Sequence, residues 1–84
     1  MKIQFTEKAW EQYSYWVETD QKTVLRILRL ITDITRGGRL GKAEILKGSF
    51  HGSMSRRIDE KHRLIYRITD DVLIILLCYG HYND

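Results

Sequence analysis

Proline is absent from this sequence and cysteine occurs once. One thiol, Cys78, closes no internal disulfide. It lies inside the apolar stretch V-L-I-I-L-L-C-Y at 72–79, so a buried, inert thiol in a reducing compartment is expected. That stretch is the longest apolar run and is far too short for a bilayer, which takes about 20 residues. The first residues, M-K-I-Q-F-T-E-K, turn polar too soon for a signal peptide. No membrane association is expected, and the expected location is the cytoplasm. No H-x-x-x-H or C-x-x-C spacing links His51, His62, His81 or Cys78, which disfavours zinc. No nucleophile elbow is present, which disfavours a Ser-His-Asp hydrolase. Repeats and low-complexity tracts are missing, so residues 1–84 are expected to form a single domain. Charge of one sign is not in large excess either. Fourteen basic residues against eleven acidic ones leave a formal charge of +3, which permits an RNA or phosphate partner without establishing one.

What is present is ordinary globular material, 43% hydrophobic and 30% charged. Residues 2–5 alternate Lys, Ile, Gln, Phe and suit a short edge strand. Thr6 is a candidate helix cap, with Glu7 well placed in the first turn. Ala9, Trp10, Tyr13, Trp16 and Val17 then recur at helical spacing and predict one apolar stripe against the core. An aromatic ligand box is the less common alternative. Asp20 caps a second helix, on which Val24, Ile27, Leu28, Ile31 and Ile34 keep the spacing. Lys22, Arg26, Arg29 and Arg36 are interspersed, either as a solvated face or as a polyanion contact. Gly37 and Gly38 end the helix. The two helices form a helical hairpin.

Residues 39–52 read as loose and glycine-rich, with a possible short strand at Glu44–Lys47. Strands are predicted at about 53–58, 63–69 and 72–79, with a turn at Thr69-Asp70-Asp71. Leu64, Tyr66 and Ile68 share one face of the middle strand; Arg63, Ile65 and Arg67 share the other. The last strand is apolar on both faces and should be central and covered. The fold class is therefore α+β: a short N-terminal strand, a two-helix hairpin, and an antiparallel sheet of three to four strands.

The chain is organised around S-R-R-I-D-E-K-H-R-L-I-Y at 55–66. Arg56 and Arg57 lie on the incoming arm of a hairpin, Arg63 and Tyr66 on the outgoing arm. A hairpin this small has no structural need for so many guanidinium groups, and Arg presents a planar donor fork suited to phosphate. Glu44, Lys47, Arg57, Arg63, His81 and Tyr82 all lie on or next to strands and form the candidate constellation. By composition alone, a single histidine near a C-terminus reads as a surface residue. The turn sets a geometric condition. A two-residue turn at Glu60-Lys61 would put Arg57 and Arg63 on opposite faces, so sharing one phosphate requires a three-residue turn or a bulge near 59–62.

The order of the motifs carries more. G-K-x-E-x-L-K at 41–47, S-R-R-I at 55–58, E-x-H-R-L-I-Y at 60–66 and H-Y at 81–82 resemble the YoeB-type toxins of the RelE superfamily. A-W-x-x-Y-x-Y-W at 9–16 and T-D at 19–20 add to that resemblance, which spans nearly the whole chain. It implies a compact microbial-ribonuclease fold and a bacterial toxin of a toxin–antitoxin pair. It also implies cleavage of messenger RNA in the ribosomal A site without a metal or other cofactor. By motif, it places the general base on Glu44 and a phosphate-contacting lysine on Lys47. The phosphate-binding arginines fall on Arg57 and Arg63, the general acid on His81 and a base-contacting tyrosine on Tyr82. The implied partners are a YefM-like antitoxin, the 70S ribosome with its mRNA, and a second copy of the chain. Met54 stands where the family usually has a large aromatic. Prolines around the glutamate are absent, and the chain continues past H-Y with Asn83 and Asp84. Two other readings differ in class. A ParE-type toxin would act on gyrase without the Glu44, Arg63 and His81 set, and a plain RNA-binding module would bind through Lys22, Arg26, Arg29 and Arg36 without cleavage.

Overall fold

The structure, a computed structural model, describes residues 1–81. Five strands and two helices follow in the order β1 (Lys2–Phe5), α1 (Glu7–Thr19), α2 (Gln21–Thr35), β2 (Glu44–Ile45), β3 (Met54–Arg57), β4 (Arg63–Thr69) and β5 (Val72–Leu77). A 3₁₀ turn covers Gly48–Phe50. Both helices start where side chains cap them. Thr6 Oγ1 accepts the Ala9 N–H at 3.1 Å, and Asp20 accepts from the N–H groups of Lys22 and Thr23. Asp20 also ends α1, because its own N–H returns to the Trp16 carbonyl. One residue thus stops one helix and starts the next.

The strands form one sheet in the order β1-β5-β4-β3-β2. β1 joins it parallel to β5, whereas all other pairs are antiparallel. The four strands that follow the helices form the expected antiparallel sheet, and β1 adds a parallel fifth strand, so the sheet as a whole is mixed. The run at 72–79 is strand only to Leu77.

One face of the sheet carries the core. Leu64 and Tyr66 of β4 and Leu73 and Ile75 of β5 pack with Ala9, Trp16, Val24, Ile27, Leu30, Ile31 and Ile34 of the helices. Burial of such a side chain contributes about 1.5–3 kcal/mol. The stripe on α1 is narrower than its spacing predicts. Trp10 is 57% exposed and Val17 50%; Trp10 instead meets Phe5 edge-on. Leu28 of α2 also faces outward, at 44% exposure. β5 is an interior strand as expected, but only one face is sealed. Leu73 and Ile75 are buried, while Val72, Ile74 and Leu76 are half-buried.

A bulge breaks the β4·β5 ladder. Ile65 pairs with Leu77 but Tyr66 pairs with Ile75, leaving Leu76 as the extra residue. Its carbonyl accepts the Thr6 hydroxyl at 3.1 Å. Beyond the bulge the chain turns Cys78 into the core, where burial pushes its thiol up to about 12. No described helix is long and apolar enough to cross a membrane.

Candidate functional site

The face of the sheet opposite the helices is where the chemistry collects. Arg57 of β3 and Arg63 of β4 are direct cross-strand partners, so their side chains leave the sheet on the same face. Neither backbone bonds the other. Arg57 N–H donates to Gly41 at 2.6 Å and Arg63 N–H to Gly80 at 2.9 Å. They are thus a non-hydrogen-bonded pair, the kind with Cα atoms only about 4.5 Å apart. Like charges at this spacing repel, and an anion between them relieves that.

The turn that makes this possible has three residues, Asp59-Glu60-Lys61. The Ile58 N–H donates to the His62 carbonyl at 3.0 Å and closes it. Asp59 organises the turn from within, its Oδ1 accepting from the N–H groups of Lys61 and His62 at 2.8 Å each. This meets the condition for both arginines to face one phosphate. Arg63 is further steered by Nη1, which donates to the Asp59 carbonyl at 2.7 Å and the His62 carbonyl at 3.1 Å. Those bonds use one nitrogen of the fork and hold its orientation.

Glu44 is the direct partner of Ser55, which in turn pairs with Ile65. It therefore shares the face of Arg57 and Arg63, diagonal to Arg57 at about 7 Å and one strand further from Arg63. Its carboxylate is exposed and lies 3.9 Å from Lys42 Nζ. Lys47 is exposed and precedes the 3₁₀ turn, two residues beyond β2. His81 is exposed and follows directly on Gly80, the residue bonded to Arg63. The structure thus brings Glu44, Arg57 and Arg63 onto one face and ties the chain leading to His81 beside them. Tyr82 lies outside the described residues.

Arg56 belongs elsewhere. It is 4% exposed and points to the helix side. There Nη1 bonds Asp33 Oδ2 at 2.8 Å and the Leu40 carbonyl at 2.9 Å, Nη2 bonds the Gly38 carbonyl at 2.8 Å, and Nε bonds the Tyr66 hydroxyl at 3.0 Å. Its guanidinium, with the Leu40 N–H, holds the Asp33 carboxyl below the usual carboxylate range. One arginine of S-R-R-I therefore supports the fold and the other is available to a ligand. Arg26 is likewise structural in part, bonding the carbonyls of Arg57 and Ile58 and bracing the hairpin from α2.

Two residues of this region escape the motif reading. Arg67 shares the face of Arg63 and ties down the preceding loop by bonds to the His51 carbonyl and Ser53 Oγ, both at 3.2 Å. Strand alternation alone signals its face. His62 accepts the Gly80 N–H, a contact with no local sequence signal. The site is a basic rim of Arg57, Arg63 and Arg67 around a sheet face whose centre, at Ser55 and Ile65, is covered. Gly41, at its edge, is held at φ +78°, and a Cβ there would come 2.9 Å from the Arg57 carbonyl. The residue opposite Arg57 must therefore be glycine for the backbones to meet.

Comparison with known proteins gives a consistent answer. Residues 5–82 match the family described as YoeB-like toxin of bacterial type II toxin-antitoxin system. The toxin YoeB of Streptomyces coelicolor is 50% identical over 84 residues, covering 98% of this chain and all of that protein. A solved structure described as a YoeB/ParE toxin from Agrobacterium tumefaciens superposes with a TM-score of 0.94. It is 38% identical and covers 98% of this chain and 100% of that one. The toxin in a heterotetrameric YoeB-YefM toxin-antitoxin complex from Staphylococcus aureus gives 0.89 at 39% identity, with 98% of each chain covered.

Proposed function

This chain belongs to the YoeB-like toxins of bacterial type II toxin–antitoxin systems, and from that premise we propose that it is a ribosome-dependent endoribonuclease. It cleaves messenger RNA in the ribosomal A site and so inhibits translation. The observation that carries this reading is the Arg57·Arg63 pair, two arginines directly opposed across β3 and β4 with Glu44 on the same face.

Glu44 takes the proton from a ribose 2′-hydroxyl. The oxygen attacks the adjacent phosphorus in line, and the P–O5′ bond breaks. Arg57 and Arg63, with Lys47, stabilise the negative charge that gathers on the phosphoryl oxygens, a term usually large in such sites. His81 gives its proton to the departing 5′-oxygen. The products are a 2′,3′-cyclic phosphate and a 5′-hydroxyl, and Tyr82 contacts a base. The guanidinium groups supply the positive charge that a metal supplies elsewhere, so the reading includes no cofactor.

The partners proposed are programmed 70S ribosomes, a cognate antitoxin of the YefM kind and a second copy of the chain. The likeness to a toxin solved in a YoeB-YefM complex supports the antitoxin. Mapping 5′ ends on an mRNA, with and without programmed ribosomes, tests the activity. Wild type should cut in the A-site codon only with ribosomes, and His81→Ala should lower the rate about 10²–10⁴-fold. Absence of any cut would favour a gyrase-directed toxin instead. Glu44 acts unprotonated and His81 protonated, so the rate should rise and then fall with pH. A flat profile from about pH 5 to 9 would remove the pair.

A further inference from the structure

His62 has no part in the chemistry above, yet it is bonded to the segment that leads to the acid. The Gly80 N–H donates to its Nδ1 at 2.8 Å. The Gly80 carbonyl accepts the Arg63 N–H at 2.9 Å. Residue 80 is therefore gripped on both sides by two consecutive residues of the hairpin. A backbone N–H only donates, so Nδ1 is the acceptor and the ring proton sits on Nε2.

The ring is itself held. It meets Trp16 edge-on at 4.8 Å and 77°, and Tyr79 at 4.8 Å and 54°. Trp16 is buried and anchored, its indole N–H donating to the Cys78 carbonyl at 2.8 Å. The His62 backbone N–H is fixed on Asp59. Gly80 has φ +92°, a conformation that a side chain disfavours. The chain therefore turns at the grip, and the next residue is His81.

We propose that His62 is a positioning residue for the reaction: its Nδ1 fixes Gly80 and thereby aims His81 at the phosphate held by Arg57 and Arg63. The proposal rests on the reading of His81 as general acid. Arginine and acid then take their places from the same turn. Arg63 does so through the carbonyls of Asp59 and His62, His81 through the imidazole. Without the acceptor, the Gly80 N–H turns to water, and residue 80 keeps only its bond to the Arg63 N–H, so His81 starts from a less fixed origin. A displacement of about 1 Å costs as much as 10²-fold.

The test is single-turnover cleavage of mRNA on programmed ribosomes. His62→Phe keeps a ring against the stacked Trp16 and Tyr79 but removes the acceptor. His62→Asn puts an oxygen near the place of Nδ1. We expect His62→Phe to lower the rate about 10- to 100-fold with half-saturating ribosome concentration unchanged, and His62→Asn to recover most of it. In a His81→Ala background, His62→Phe should cost less than about twofold, because positioning an absent acid has no value. An equal penalty in both backgrounds overturns the proposal, and so does a His62→Asn rate no better than His62→Phe. Should His62→Phe fail to fold, His62→Asn against His62→Leu makes the same comparison without a ring, since leucine has the shape of asparagine and no acceptor; equal rates there overturn it too. A wild-type rate in His81→Ala alone removes the acid itself and the proposal with it, a failure read separately in the single variant.

Discussion

Arg56 and Arg57 are neighbours with opposite duties, and the difference is only which way each leaves the strand. Arg56→Ala would strip the donor from the carbonyls of Gly38 and Leu40 and from the Tyr66 hydroxyl. At about 1 kcal/mol for each group left unsatisfied, a loss of about 3 kcal/mol is expected in denaturant unfolding. Arg57→Ala, an exposed position, should stay within about 0.5 kcal/mol of wild type while cleavage falls. A cleavage loss in Arg56→Ala that persists after correction for the unfolded fraction would contradict this division. Asp33 gives the pH signature of the buried member. Its carboxyl is held below the ordinary value of 3.8, first by Arg56 and then by the Leu40 N–H. The unfolded chain takes up that proton more readily than the folded one. The stabilisation is complete above the ordinary value and drains away as pH falls through the lowered one. The melting temperature should fall more steeply below about pH 4 in wild type than in Asp33→Asn. Only the family resemblance separates the two arginines in the sequence; S-R-R-I itself gives no sign of which side chain meets Asp33. The motif order nevertheless singled out Arg57, Arg63 and Glu44, whereas their sharing one face comes from the strand register.

The hairpin and the helix caps were legible for a local reason. Thr6, Asp20 and the turn at 59–61 act on backbone groups within three residues of themselves, so their chemistry is written beside them. Thr6 does more than cap: its hydroxyl also donates to Leu76, the bulge residue of β5. Thr6→Ala should lower unfolding stability by about 1 kcal/mol from the cap alone. The valine variant, which keeps the shape and removes both bonds, should do the same by chemical denaturation; equal stability of Thr6→Val and wild type would show the bonds to be idle. Trp10, Val17 and Leu28 were misread as core because periodicity finds a stripe but not its width. The parallel docking of β1 on β5 and the bond from Thr6 to Leu76 join residues some 70 apart in sequence, for which no neighbour leaves a trace.

Across the molecule, order is uneven. β4 and β5 lie inside the sheet, whereas β2 is a two-residue edge strand. Glu44 therefore sits at the loosest margin of the sheet and Arg63 near its firmest part. Hydrogen exchange should show the Leu46 amide opening at far lower free energy than the β4 amides, and the antitoxin-bound protein should narrow that gap. Uniform protection would mean that the edge is as cooperative as the centre. The parallel seam between β1 and β5 bears on how the protein comes into being. Synthesis delivers β1 first and β5 after every other strand. Until residues 72–77 emerge, the growing chain has the arginine hairpin but no strand to join it to its own beginning, and Gly80 and His81 follow later still. On the proposed mechanism, the ribosome that makes this protein thus hands over its arginines before its acid. Whatever silences the toxin has that interval in which to find it unarmed.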